Sequence, residues 1–270
     1  MIKSNFHTHT TYCDGKDTPR EMIEAAIALG LEAIGFSGHS YLPDEKSPYY
    51  MTPDKYENYK REILALKEEY KGRIDVYLGL EEDMDSPITE DGALDYKIGS
   101  LHGLYLDGKY YAIDSSRKDT ERIVNEFFGG DFDSFSEKYF DRVKDVISKT
   151  GADIIGHIDL VAKYKGAHTS YETPRYLAAA SAAVKHLCTF GVPFEINTGA
   201  MARGCRCEPY PSPSILAMIK KYGGKIAISS DCHDSRYLNF AFEEAESLAK
   251  GAGFTEYAVI GRCGIEYKEF

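Results

Sequence analysis

The sequence predicts an α/β barrel, and three observations point there. Short apolar runs alternate with helical stretches along the chain, which implies parallel βαβ units. The helices are punctuated by hydroxyl–proline pairs at their starts and by glycines at their ends. Seven or eight such units fit 270 residues as one closed or nearly closed barrel over residues 1–270, with a doubly wound open sheet as the alternative.

The first strand is read at residues 2–6, after which Thr18-Pro19-x-Glu21 opens a helix with a capping box. Gly30 stops that helix before a strand at 33–37. Thr52-Pro53 starts the next helix, Gly72 ends it, and strands follow at 74–79 and 96–100. Gly151 precedes a strand at 152–156. Thr173-Pro174 begins a helix that Gly191 ends, ahead of a strand at 192–196. Ser212-Pro213 and Gly223 bracket the helix before the strand at 225–229, and the apolar run 257–260 reads as one strand more.

Composition narrows the function. A net charge of −11 argues against nucleic acid, whose binding rests on Lys and Arg at phosphates. No apolar run approaches the roughly 18 residues of a membrane span, and Met1 to Phe6 is too short and polar for a secretory signal. A cytoplasmic protein with no membrane partner is expected. The six cysteines form no CxxC pair, and Cys205-x-Cys207 alone cannot complete a tetrahedral thiolate site.

The residues that follow the strands carry the chemistry. Strand by strand they are His7-Thr8-His9 with Asp14 beyond, His39, Glu81, His102, His157, the Glu195-Ile196-Asn197 segment, and Asp231-Cys232-His233. In a parallel barrel all of these lie on the C-terminal face, where such folds build active sites. Six of the eight histidines therefore sort to one rim; His168 and His186 do not. Residues i and i+2 of a strand point to the same side, so His7 and His9 can grip one cation, and Asp231 and His233 repeat the arrangement. Imidazole suits zinc and similar metals, and carboxylates can bridge two of them. One HxH is commonly a satisfied core pair. Nine candidate ligands at the ends of six strands are a metal cluster: His7, His9, Asp14, His39, Glu81, His102, His157, Asp231 and His233.

HTHTTYCDG, SGHS, LGLEED, IGSLHG, IGHIDL, EINTG and SSDCHD, in this order, closely resemble the PHP (polymerase and histidinol phosphatase) family over nearly the whole chain. Glu195 to Thr198, then Arg203 and Tyr210-Pro211-Ser212-Pro213, resemble its histidinol-phosphate phosphatase branch. The resemblance implies a distorted (β/α)7 TIM-like barrel with three divalent ions at the C-terminal ends of the strands, zinc first, iron or manganese as alternatives. It places one ion on His7, His9, Glu81 and Asp231. A second falls on Glu81, His102 and His157, and a third on Asp14, His39 and His233. Some members carry a histidine where Asp14 stands here.

Such a cluster suits phosphate ester hydrolysis, because metals lower the pKa of water toward neutrality and offset phosphate charge. The resemblance implies a histidinol phosphatase acting on a small phosphate ester. The runner-up is a phosphoesterase for nucleotides or other small esters; an amidohydrolase and a non-catalytic metal module rank below. Arg203, Asp231 and His233 are the candidate catalytic residues. Arg203 is the first candidate phosphate-binding group, because a guanidinium donates two parallel hydrogen bonds; Lys163 is the second, near a position where the family it resembles tends to carry a basic residue, and Arg206 and His168 are weaker. Tyr49, Tyr50, Tyr110 and Tyr111 are candidate pocket residues. Asp83, Asp85 and Glu172 are candidate rim carboxylates for a substrate ammonium. His186, in an Ala-rich helix, reads as structural.

Overall fold

A computed structural model describes residues 2–43, 47, 49–165 and 171–270; His168 lies outside them. The chain runs β1 (Ser4–Asn5), α1 (Pro19–Ala28), β2 (Ala33–Phe36), α2 (Pro53–Glu69), β3 (Asp75–Asp83) and β4 (Tyr96–Ser100). Then come β5 (Gly103–Leu106), β6 (Lys109–Ala112), α3 (Arg117–Phe128), α4 (Phe132–Val143), α5 (Val146–Thr150) and β7 (Ile154–Ile155). The last third holds α6 (Pro174–Leu187), β8 (Phe194–Asn197), α7 (Gly199–Ala202), α8 (Pro213–Lys221), β9 (Ile226–Ser229), α9 (Phe242–Gly251), β10 (Glu256–Gly261) and β11 (Gly264–Glu269). Among the described residues no helix is long and apolar enough to cross a membrane.

The strands form one sheet in the order β1-β2-β3-β4-β7-β8-β9-β10-β11, and β5–β6 is a separate hairpin. Pairing is parallel from β1 through to β10, and only β11 returns antiparallel on β10. The seven expected parallel strands are thus present, and the eighth apolar run forms β10. No ladder joins β1 to β9. A single parallel bridge, Thr8 to Cys232, does so beyond their ends, with His9 N donating to Cys232 O at 2.8 Å and Cys232 N to His7 O at 3.0 Å. Among the described residues this backbone pairing draws β1 and β9 together at the C-terminal rim, where the candidate ligands sit.

Tyr96 fills the interior below that rim. Its hydroxyl reaches from β4 to the Phe6 carbonyl. A Cβ on Gly79 would lie 2.3 Å from its ring and one on Gly35 2.4 Å from its oxygen, so both positions must stay bare. The helices cover the outer face with apolar sides: Met22, Ile23 and Ala26 of α1, and Tyr176, Ala180, Ala183 and Val184 of α6, are buried.

Three of the four expected hydroxyl caps form. Thr18, Thr52 and Thr173 accept from the backbone three residues on, and Glu21 returns to Thr18 N at 2.8 Å. Ser212 does not cap α8; its hydroxyl donates to Glu172 instead. Gly30, Gly72, Gly151, Gly191 and Gly223 all take left-handed φ after their helices, as a chain stopping there requires. β3 runs four residues past its expected end, because Glu81, Glu82 and Asp83 continue the pairing with β4 although all three are charged. The β5–β6 hairpin after His102 was not expected.

Candidate metal centre

β3 carries Glu81 into the middle of the rim. One carboxylate oxygen, Oε1, lies 2.9 Å from His157 Nε2, 3.2 Å from His102 Nε2 and 2.7 Å from the Ser100 hydroxyl that donates to it. The other, Oε2, lies 2.9 Å from His39 Nδ1, 3.3 Å from His7 Nε2 and 3.5 Å from His9 Nε2. Five imidazoles from four strand ends therefore surround one carboxylate that is 1% exposed. Asp231 closes one side, with Oδ1 3.3 Å from His9 Nε2 and 3.8 Å from His7 Nε2. Nearer solvent, Asp14 lies 3.0 Å from His233 Nε2, 3.5 Å from His39 Nε2 and 3.6 Å from His9 Nδ1. All nine sequence-predicted ligands are brought together.

The fit to cations rests on atoms left without partners. His7 Nε2, His9 Nε2, His39 Nδ1, Asp14 Oδ1 and Glu81 Oε2 are buried and make no hydrogen bond. A buried polar atom without a partner costs about 1–3 kcal/mol, so a native cluster of them calls for a ligand. Their donor atoms fall into groups lying within 4.8 Å of one another: His9-Asp14-His39-His233, His7-His9-Glu81 and His39-Glu81-His102. Nitrogen and carboxylate donors in such groups suit divalent transition metals.

Electrostatics agree. Burial opposes charge throughout, yet the surrounding imidazoles hold the Glu81 carboxyl well below its usual range. For Asp231, Arg203 and His7 outweigh the same burial penalty. Burial drives His9 down to about 3, helped by repulsion from His233 and His39, so its imidazole stays neutral. His102 is pushed up to about 10 because Glu81 and Asp83 overcome its burial. The cluster demands positive charge, which either protons or cations can supply.

Several ligands are aimed by residues the sequence reading did not assign. Asp83, expected at the rim, is buried and accepts from His102 Nδ1 at 3.0 Å, leaving Nε2 for the centre. Glu195 touches His7 Nδ1 at 2.5 Å. His233 Nδ1 lies 2.9 Å from Asp231 O and 3.0 Å from Arg203 Nη1, which fixes the ring with Nε2 toward Asp14. Asp231 itself holds φ at 46°, a left-handed conformation costing about 1–3 kcal/mol outside glycine. Cys13 Sγ packs 3.5 Å from His9 Nδ1, and Cys232 Sγ donates to Asp234 O.

Over the cluster opens a cleft of about 600 Å³, lined among others by Tyr49, Tyr50, Asp114, Lys163, Arg203 and His233. Arg203, just after α7, donates to Asp231 Oδ2 at 2.9 Å and Asp231 O at 3.0 Å, so it grips a ligand as well as facing the cleft. Gly199 permits that approach, since a Cβ there would lie 2.9 Å from Asp231 Cβ and 3.0 Å from the guanidinium. Lys163 is paired with Asp114 at 2.9 Å. Arg206 is buried against Asp159 and the Tyr210 ring, away from the cleft. Tyr110 and Tyr111 do not line the cleft, and His186 packs on Phe190. Asp85 and Glu172 are not rim groups either. Arg142 holds Asp85 at 2.6 Å, and the Ser212 and Ser214 hydroxyls hold Glu172.

The model of the PHP domain matches residues 5–199, well over half of the chain. The chain belongs to the PHP domain family. Among relatives in that family's company, the probable histidinol-phosphatase of Deinococcus radiodurans is 28% identical, covering 92% of each chain. The histidinol-phosphatase of Bacillus subtilis is 24% identical, covering 90% of this chain and 98% of its own. The crystal structure of histidinol phosphate phosphatase from Lactococcus lactis, complexed with zinc, L-histidinol and phosphate, superposes with a TM-score of 0.70 at 22% identity, covering 98% of both chains. This PHP fold is thus shared across almost its entire length.

Proposed function

We propose that this protein is a metal-dependent phosphomonoesterase that hydrolyses L-histidinol phosphate to L-histidinol and phosphate. The observation that carries the reaction class is Glu81, ringed by five imidazoles and opening on a cleft with Arg203 in its wall. The choice of ester is supported by relatives of that name that align along nearly all of both chains.

His7, His9, Glu81 and Asp231 would hold one divalent ion. Glu81, His102 and His157 would hold a second, and Asp14, His39 and His233 a third. Zinc is the first choice for this donor set. When bound, the ions act as Lewis acids that acidify water and polarise the phosphoryl group. The protein supplies the rest. A guanidinium has five donors, and Arg203 directs two at Asp231 and one at His233 Nδ1, leaving two to grip phosphate oxygens. Asp231 is fixed by those bonds at the distance that His9 needs. Lys163 and Asp114 add a paired charge to the cleft wall.

The test compares kcat/KM for histidinol phosphate, a nucleoside monophosphate, an aryl phosphate and a short single-stranded oligonucleotide at equal metal loading and salt. An advantage of about a hundredfold for histidinol phosphate is expected, or roughly 2.7 kcal/mol of transition-state discrimination. Equal or better turnover of the nucleotide would sink the substrate and promote the nucleotide reading.

Arg203→Ala should lower kcat/KM by about 10- to 150-fold, the worth of a charge-assisted hydrogen bond of roughly 1.5–3 kcal/mol. From sequence the metal content of this variant is expected to stay near normal. The grip on Asp231 adds a second expectation, weaker zinc retention in a chelator challenge. Unchanged kcat/KM would remove Arg203 from the site.

A further inference from the structure

We propose that Glu195 is a positioning residue that locks His7 in the tautomer a cation needs, so that β8 organises the centre without lending it a ligand. The inference rests on the metal-centre reading and is independent of which ester is cleaved.

Glu195 is buried, and its carboxylate accepts from four donors. Oε1 receives His7 Nδ1 at 2.5 Å and the Ser229 hydroxyl. Oε2 receives the His157 backbone N–H at 3.0 Å and Asn197 Nδ2 at 2.9 Å. A carboxylate offers about four lone-pair positions, so none is left over. Asn197 cannot turn round, because its Oδ1 accepts from Gly199 N at 2.8 Å while Nδ2 also reaches Asp231 Oδ2 at 3.3 Å. The same-side pair Glu195 and Asn197 thereby ties together three ligand-bearing segments, those of His7, His157 and Asp231.

The tautomer follows from this arrangement. An acceptor-only oxygen against Nδ1 obliges that nitrogen to carry the proton. In the neutral imidazole that a cation meets, His7 Nε2, buried and without a hydrogen-bond partner, is then a bare lone pair facing Glu81 and Asp231. Such outer partners orient metal-binding imidazoles and raise their basicity.

Glu195→Gln inverts the arrangement without changing its shape. The glutamine oxygen must stay on the side of the His157 N–H and the fixed Asn197 amide, both of which are donors. Its NH₂ then faces His7 and Ser229. The serine hydroxyl can rotate to accept, but His7 can accept only through a bare Nδ1, which moves its proton to Nε2, toward the centre. Cation binding must then expel that proton or break the new bond.

The experiment measures zinc affinity by competition with a chromophoric chelator for the unsubstituted protein, Glu195→Gln and Ser229→Ala. Circular dichroism checks each fold. Glu195→Gln should lose about 10- to 100-fold in affinity for one zinc ion. Ser229→Ala, which removes a donor but leaves His7 facing an acceptor, should retain its zinc. In zinc-loaded protein labelled with ¹⁵N-histidine, His7 should show a downfield Nδ1–H proton bonded to Glu195, shifted upfield in Glu195→Gln. Equal affinities for the unsubstituted protein and Glu195→Gln would overturn the proposal and leave the metal centre standing. No zinc binding by the unsubstituted protein would overturn both. Should Glu195→Gln fail to fold, absence of the downfield Nδ1–H in the unsubstituted protein would overturn the proposal by itself.

Discussion

Prolonged chelation should abolish turnover of every phosphate ester, and zinc added back should restore it. Among the described residues, the groups beneath the cleft are those that surround Glu81 and Asp14, where bound cations would activate water. The fold should survive the treatment. Metal-free, the buried carboxylates keep compensation, because His102 is pushed up to about 10 and His7 and His39 also rise, letting protons stand in for cations. Stability should still fall, because a ligand at a hundred times its Kd adds about 2.7 kcal/mol. Elemental analysis, activity and thermal melting on one preparation make the check. Full turnover in protein verified to be free of metal would end the mechanism. A full metal complement with no turnover of any ester would instead favour the non-catalytic metal module.

The barrel was legible because its punctuation is local. Thr18-Pro19, Thr52-Pro53 and Thr173-Pro174 fix helix starts through bonds to residues three positions on, and that information lies within one turn. Ser212-Pro213 carries the same signal, yet its hydroxyl goes to Glu172, forty residues away in sequence and beyond any local reading. β3 was cut short for a related reason. Glu81, Glu82 and Asp83 lie past the strand read at 74–79, but Ser100, Thr89 and His102 satisfy them inside the fold. The β5–β6 hairpin did leave a mark, Asp107-Gly108 between Leu106 and Lys109, with both φ values positive as a tight hairpin turn requires.

The site divides in the same way. The ligands could be read because each lies toward or just past the C-terminal end of a strand and because pairs such as His7 and His9 obey the two-residue period. What aims them could not be assigned, since Glu195 meets His7 only after β8 and β1 are placed on one rim, 188 residues apart in sequence. One signal was present: Glu195 and Asn197 share the i, i+2 spacing that singled out the histidines. The rim carboxylates failed for the converse reason. Asp83, Asp85 and Glu172 look free in sequence, and each is engaged by a partner from a different element.

Glu81→Ala should cost at least about a thousandfold in kcat/KM, roughly 4 kcal/mol, even with excess zinc. Removing a single preorganised stabiliser from an active site costs about 10²–10³. Glu81 does more than one such job, for its two oxygens separate the His102–His157 side of the centre from the His7–His9 side. Without the carboxylate, five imidazoles would surround a hole, and any cation held there would lose the negative charge at its centre. His9→Ala should also be nearly inactive, because His9 alone contacts Glu81, Asp231 and Asp14 at once. Glu81→Gln separates charge from shape: it keeps the side chain's volume and one acceptor but loses the anion that cations require. It should therefore resemble the alanine variant in turnover and in zinc content, while circular dichroism stays close to that of the unsubstituted protein. Substantial turnover by zinc-loaded Glu81→Gln would mean that the bridging anion is dispensable, and the assignment of two ions to Glu81 would fall.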